Sequence, residues 1–169
     1  MNKRSTLSVV SIGLATSLLF GAFASNLTAQ ESNPMVEMAM ANMRKVMMMP
    51  QEERMSYVMQ AQADSLSHGK ALFEDNGLGT NGQACQSCHV GGRTTGGQVE
   101  MMPGMAMPIP DLHGVAGTFP KFKPGNDAVI TLSEMNNNCL VMFQAGQPLA
   151  LGSEDARDLA SYVSSLTSD

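Results

Sequence analysis

The chain has 169 residues, with 10 Lys and Arg against 15 Asp and Glu, a formal charge of −5. That length fits one domain with an appendage, and an apolar content of 43% with 15% charged residues argues against wholesale disorder. The acidic balance excludes a nucleic-acid partner, whose phosphates need a basic surface. Methionine is the anomaly: 16 of them, nearly one residue in ten.

The first 29 residues are expected to be an address rather than structure. Asn2-Lys3-Arg4 is a basic start, Leu7 to Phe23 is an apolar run, and Ala22-Phe23-Ala24 and Leu27-Thr28-Ala29 both offer small residues to a signal peptidase. This is the three-part pattern of a secretory leader, cleaved after Ala24 or Ala29. The alternative is an uncleaved anchor, but the run sits at the short end of the ~20 residues a span needs. Cleavage after Ala29 removes Lys3 and Arg4, leaving 8 basic against 15 acidic residues. The expected product is an acidic, exported, periplasmic protein without a membrane span.

Residues 30–64 read as a Met-rich helical segment. Asn33-Pro34 suits an N-cap followed by proline in the first turn. Met35, Met38, Met43, Val46 and Met49 keep helical spacing up to Pro50. Pro50 opens a second helix, with Glu52 and Glu53 placed to favour its dipole. A third helix is expected from Ser67 to about Asp75. From Asn76 to Gly125 the chain is rich in Gly and Pro and has no sustained period, so it reads mainly as loop. Leu132 to Phe143 reads as helix. Ser153 caps a last helix bearing Leu159, Tyr162, Val163 and Leu166 on one face. The expected fold class is all-α, with residues 65–169 forming the main domain. A loop of about fifty residues in a compact domain needs something other than backbone pairing to fill its core.

Cys85-Gln86-Ser87-Cys88-His89 supplies it. C-x-x-C-H is the c-type haem attachment signature. Two residues between the cysteines let both sulfurs reach one porphyrin edge as thioethers, and the adjacent His89 becomes an axial ligand of the iron. A redox dithiol would instead follow a strand in a strand–helix–strand unit, and none is evident. The implied cofactor is one covalent haem c per chain.

Around this motif the sequence resembles class I cytochromes c. Gly69-Lys70-Ala71-Leu72-Phe73 is similar to their N-terminal helix, and Pro110-Asp111-Leu112-His113-Gly114 to their P-x-L-x-G segment. The resemblance implies that the Pro110 carbonyl accepts Nδ1–H of His89, which fixes the tautomer. It also implies that the last helix crosses the first near Gly69 and Phe73.

The sixth ligand has several candidates: Met101, Met102, Met105, Met107, Met135, Met142, His113 and Cys139. A His/Met pair is the ordinary choice for electron transfer. Met142 lies 11 residues before Ser153 but is not followed by proline, and Met107-Pro108 has the dipeptide but comes early. Cys139 is the third cysteine of an exported chain and has no thiol partner once haem takes the other two. It can also be a small buried hydrophobe.

Phe119-Pro120-Lys121-Phe122, Asn137-Asn138-Cys139, Gly146-Gln147-Pro148-Leu149 and Gly152-Ser153-Glu154 resemble the haem domain shared by SoxA and thiosulfate dehydrogenase. The resemblance implies that Cys139 is the distal ligand and can carry a sulfur substrate. It departs in two ways. The family's arginine one helical turn before the cysteine is Met135 here, and this chain has one C-x-x-C-H. Arg93, Lys121 and Lys123 are the cations left to hold an anion. The function implied is single-electron transfer linked to oxidation of thiosulfate or related sulfur compounds, with other redox proteins of an exported chain, or a sulfur-oxidising protein, as partners. The alternative is a haem subunit of a sulfur-oxidising enzyme that binds substrate through Cys139.

Met101-Met102-Pro103-Gly104-Met105-Ala106-Met107 stands apart. Thioethers suit Cu(I), so copper handling is a third reading, while packing against a flat haem face is the plainer one. His68 and the acids from Glu154 to Asp158 read as solvated helix faces.

Overall fold

The computed structural model describes residues 33–90, 92 and 96–166; the expected leader lies outside them. The chain forms two compact units, one ending at Arg54 and the other beginning at Met55. In the first, helix α1 spans Pro34–Met47, and Asn33 Oδ1 accepts the Met35 N–H at 3.0 Å. The Arg54 guanidinium caps its far end, donating to the carbonyls of Met47 and Met49 at 3.0 and 3.1 Å. No residue of α1 is buried, and Met35, Met38, Met40, Met43 and Met47 are all exposed.

Helix α2 runs unbroken over Gln51–Glu74. The two helices expected on either side of residues 64–66 are one. Asp64, Ser65 and Leu66 include neither Gly nor Pro, and Gln60 donates to Asp64 one turn on at 2.7 Å, so nothing there stops propagation. No helix among the described residues is long and apolar enough to cross a membrane.

The second unit is helix-rich but not all-α. A short helix α3, Cys85–Cys88, is followed by a hairpin of β1 (Gly97–Met102) and β2 (Met105–Ile109). A second hairpin joins β3 (Lys121–Lys123) to β4 (Ala128–Ile130). Both fall in or beside the stretch that reads as loop. The first turn is Pro103-Gly104, with Gly104 at φ 80°, a pairing suited to a turn whose third residue needs positive φ. Pro108 within β2 masks the strand in the sequence, because proline is confined to sheet edges; a two-stranded sheet has only edges.

Helix α4 covers Leu132–Phe143 and α5 covers Glu154–Ser165. Thr131 and Glu134 form a capping box at the start of α4, which satisfies two of its orphan N–H groups. Ser153 caps α5 through the Ala156 N–H. The core gathers Leu72 and Phe73 of α2, Leu112, and Leu159 and Val163 of α5. Gly69 lets α2 and α5 meet: a Cβ there would overlap the carbonyl oxygen of Asp158. One turn on, the rings of Phe73 and Tyr162 pack edge to face at 5.4 Å.

Asp158 differs from its expected place on a solvated face, whereas the His68 side chain keeps 42% of its surface exposed. Asp158 is only 7% exposed. It accepts from Ser65 Oγ at 2.6 Å and pairs with His68 Nδ1 at 2.8 Å. The close crossing at Gly69 is what carries Asp158 under α2.

Candidate functional site

Helix α3 is one turn long and cannot hold its own place. The segment before it is tied to the end of α4. The Thr80 N–H donates to the Gln144 carbonyl at 3.0 Å, Thr80 Oγ1 to that of Ala145 at 3.0 Å, and Asn81 Nδ2 to that of Phe143 at 2.9 Å. The Phe143 and Gln144 carbonyls are ones that a helix end leaves without partners, and that of Ala145 follows directly. The same bonds that finish α4 therefore bring the C-x-x-C-H beside the helix that carries Cys139.

The result is a cavity of about 310 Å³. Cys85, Cys88 and His89 line it, as do Cys139, Met135 and Asn136 of α4. Phe73, Leu112, Val115 and Val163 make much of the remaining wall apolar, and Met107, Ile109 and Pro110 bring the β1–β2 hairpin and the residue after it to its edge.

His89 Nδ1 lies 3.1 Å from the Pro110 carbonyl oxygen. A carbonyl only accepts, so Nδ1 carries the proton and Nε2 keeps its lone pair. Burial pulls the imidazole below its ordinary value, and the Pro110 bond partly offsets this. The net lowering leaves a neutral ring available as a metal ligand at neutral pH.

Cys139 is half-buried. Burial pushes its thiol up to about 11, with Cys85 and Cys88 adding to the rise and Lys123 opposing it. The free thiol is therefore uncharged at neutral pH, and only a cation such as iron would draw its proton off. Burial also raises the Cys85 thiol, against a bond from Gln144.

The sulfur candidates separate on this geometry. Cys139, Met107 and Met135 line the cavity; Met102, Met105, Met142 and His113 do not. Met142 is 63% exposed and faces outward. Met101 lies within β1. Of the three cations, Lys121 and Lys123 line the cavity, and Arg93 lies outside the described residues. Lys121 Nζ donates to Thr118 Oγ1 at 2.9 Å and sits 4.3 Å from the Phe119 ring centre.

Sequence reasoning overlooks two lining residues. Gln144 is 3% exposed, and its Nε2 donates to Cys85 Sγ at 3.4 Å. Asn136 precedes Cys139 by three residues, a helical spacing that puts both on one face and is readable from the sequence. Nothing comparable marks Gln144, whose burial comes from the loop folded over it. Asn136 Nδ2 and Gln144 Oε1 are buried without a hydrogen-bond partner among the described residues. Such orphans are rare in native interiors, and both belong to this one cavity. That is the expected mark of a site completed by a bound group, and a flat apolar group with polar edges suits it.

Two thiols and an imidazole with a free lone pair on one short stretch of chain, set in an apolar slot, are the elements of a c-type cytochrome domain. The comparison with known families gives the same class. A family model, the SoxA/TsdA cytochrome c domain, matches residues 68–169. The chain belongs to that family, and membership implies covalently bound haem c and a part in electron transfer for sulfur oxidation. No curated protein matches the chain.

Proposed function

We propose that this protein is an exported monohaem cytochrome that carries single electrons during oxidation of thiosulfate or related sulfur compounds. Cys85 and Cys88 would hold the haem as thioethers, His89 Nε2 would ligate the iron, and Cys139 would be the distal ligand. Bound haem supplies a one-electron couple at its iron. The chain's own residues set its surroundings. Pro110 fixes the His89 tautomer and orientation. The apolar wall excludes water, and the loop of Thr80 and Asn81 keeps Cys85 in register with α4. The observation that carries this reading is that Cys85, Cys88, His89 and Cys139 share one cavity. Residues 1–29 would direct export and then be removed, and the acidic remainder favours a partner with a basic docking face.

The test is low-temperature EPR and the optical spectrum of the oxidised protein beside Cys139→Ala. The expected result is a low-spin thiolate signature that the variant loses. A far-red methionine–iron band in both proteins overturns Cys139 as ligand.

One observation favours a second reading, a haem subunit that binds an anionic sulfur substrate at Cys139. Lys121 and Lys123 line the same cavity, and the Lys123 charge is felt at Cys139. They would take the place of the arginine that Met135 replaces, although as point charges rather than a bidentate fork. Haem reduction that depends on added thiosulfate supports this reading. Retained iron–sulfur ligation without such reduction supports the carrier.

A further inference from the structure

The β1–β2 hairpin carries sulfur chemistry that the haem reading does not use. Met102 and Met105 pair across the Pro103-Gly104 turn, after a register shift between Glu100 and Met102 that puts Met102 on the face opposite Glu100; paired Cβ atoms lie about 4.5–5.5 Å apart. Met107 follows Met105 by two residues on β2, so it points to the same side, roughly 7 Å along the strand. The turn is pinned, since the Gly104 N–H donates to Glu100 Oε1 at 2.8 Å. The other face holds Gln98 and Glu100 opposite Pro108 and Ala106.

This alternation is that of a half-buried sheet, yet the methionine face is not buried. Met102, Met105 and Met107 are 58%, 49% and 42% exposed. One exposed methionine is unremarkable, but three on one short face place three thioethers within reach of a single point. The unbranched side chain has three rotatable bonds, so the sulfurs can converge while the backbone stays fixed. A neutral thioether is a soft donor, matched to Cu(I) rather than to Mg²⁺, Ca²⁺ or Mn²⁺.

We propose that Met102, Met105 and Met107 form a Cu(I) site on the β1–β2 hairpin. It lies at the edge of the haem cavity, which Met107 also lines. The site rests on the proposed function in one respect, that the distal haem ligand is a residue other than Met107, and the haem spectrum of Met107→Leu tests that separately from copper binding.

The test is an anaerobic Cu(I) titration of the full-length holoprotein against bicinchoninate, a competing chelator whose copper complex is read optically. The expected result is one equivalent of Cu(I) withheld from the chelator. The double variant Met102→Leu with Met105→Leu should weaken that binding by about tenfold or more, with the haem spectrum unchanged. Met38→Leu with Met43→Leu, on α1, should bind as the wild type does. If the hairpin double variant does not fold, Met105→Ser alone, at a half-exposed position, should show the same direction of loss. The proposal is overturned if bicinchoninate takes all the copper, if the hairpin variant binds as tightly as the wild type, or if only the α1 variant loses binding.

Discussion

Nδ1 of His68 lies 2.8 Å from a carboxylate oxygen of Asp158, ninety residues further along the chain. The pair joins α2 to α5 at the crossing beneath Gly69. The hydrogen bond to Asp158 raises the His68 pKa above its ordinary value, despite some desolvation. For Asp158, burial works against the charge, but Ser65 and His68 outweigh it and hold the carboxyl below its usual range.

These two shifts have opposite consequences for stability. The raised His68 contributes fully below its unfolded value of about 6.5, and the contribution is lost as pH rises through the folded value. The depressed Asp158 contributes above its unfolded value of about 3.9, and that is lost as pH falls through the folded one. Thermal stability should therefore be highest between about pH 4 and 6.5 and should decline on either side. In His68→Gln the alkaline decline above pH 6.5 should flatten, while the acid decline persists. Melting temperatures measured from about pH 2 to 9 check this, and parallel curves for the two proteins would refute the coupling.

Gly69→Ala tests the helix crossing itself. The added Cβ would overlap the Asp158 carbonyl oxygen and would stand 2.8 Å from Tyr162 Cβ. One obstacle is backbone, which cannot swing aside, so α2 and α5 must separate. Alanine's better helix propensity, worth about 1 kcal/mol over glycine, does not offset overpacking of about 3 kcal/mol. A net loss of about 2 kcal/mol in a denaturant melt is expected. An unchanged midpoint would mean that the helices are free to move apart.

The haem-binding half of this site is legible because covalent chemistry imposes a spacing. Cys85-x-x-Cys88-His89 has to be contiguous, so the sequence shows it directly. Gly69 with Phe73 and Pro110 with Leu112 are readable through the resemblance to class I cytochromes c, which implies the helix crossing and the histidine partner. The hairpins are hidden because Pro103, Gly104 and Pro108 look like loop residues, and a two-stranded sheet tolerates them where a larger one would not. The continuity of α2 through Asp64–Leu66 was also obscured, since Asp and Ser weaken a helix without ending it. The burial of Asp158 and Gln144 is a tertiary effect. Each is covered by a segment distant in sequence, α2 over the first and the loop of Thr80 and Asn81 over the second.

Asn137 fixes how α4 presents Cys139. Its Nδ2 donates to the Leu149 carbonyl and its Oδ1 accepts the Leu149 N–H, both at 2.9 Å. One side chain thereby stands in for a strand partner and ties the segment after α4 back onto it. Asn137→Ala leaves both Leu149 groups unpaired at a half-buried position, at a cost of about 2–3 kcal/mol. Asn137→Asp keeps the acceptor and loses the donor, so it should fall between the two. Chemical denaturation ranks the three proteins. If the pair also holds the helix in register, both variants should broaden the EPR signal of the oxidised haem. Sharp, unchanged lines would confine Asn137 to stability.

Cys139→Met separates the charge of the distal residue from its sulfur. If Cys139 ligates as a thiolate, its negative charge favours ferric iron and keeps the reduction potential low. A thioether at the same place is neutral and, with histidine, is the pairing that raises the potential. Axial ligands set haem potentials over roughly 0.8 V, so an upward shift on the order of 0.1 V or more is expected, with the far-red methionine–iron band appearing in the oxidised spectrum. The cavity wall can take the longer side chain, since Met107 and Met135 already line it and methionine adapts to irregular space. Redox titration of the variant beside the wild type decides the matter. Equal potentials, with the far-red band already present in the wild type, would move the distal position to Met107 or Met135 and leave Cys139 as a buried thiol.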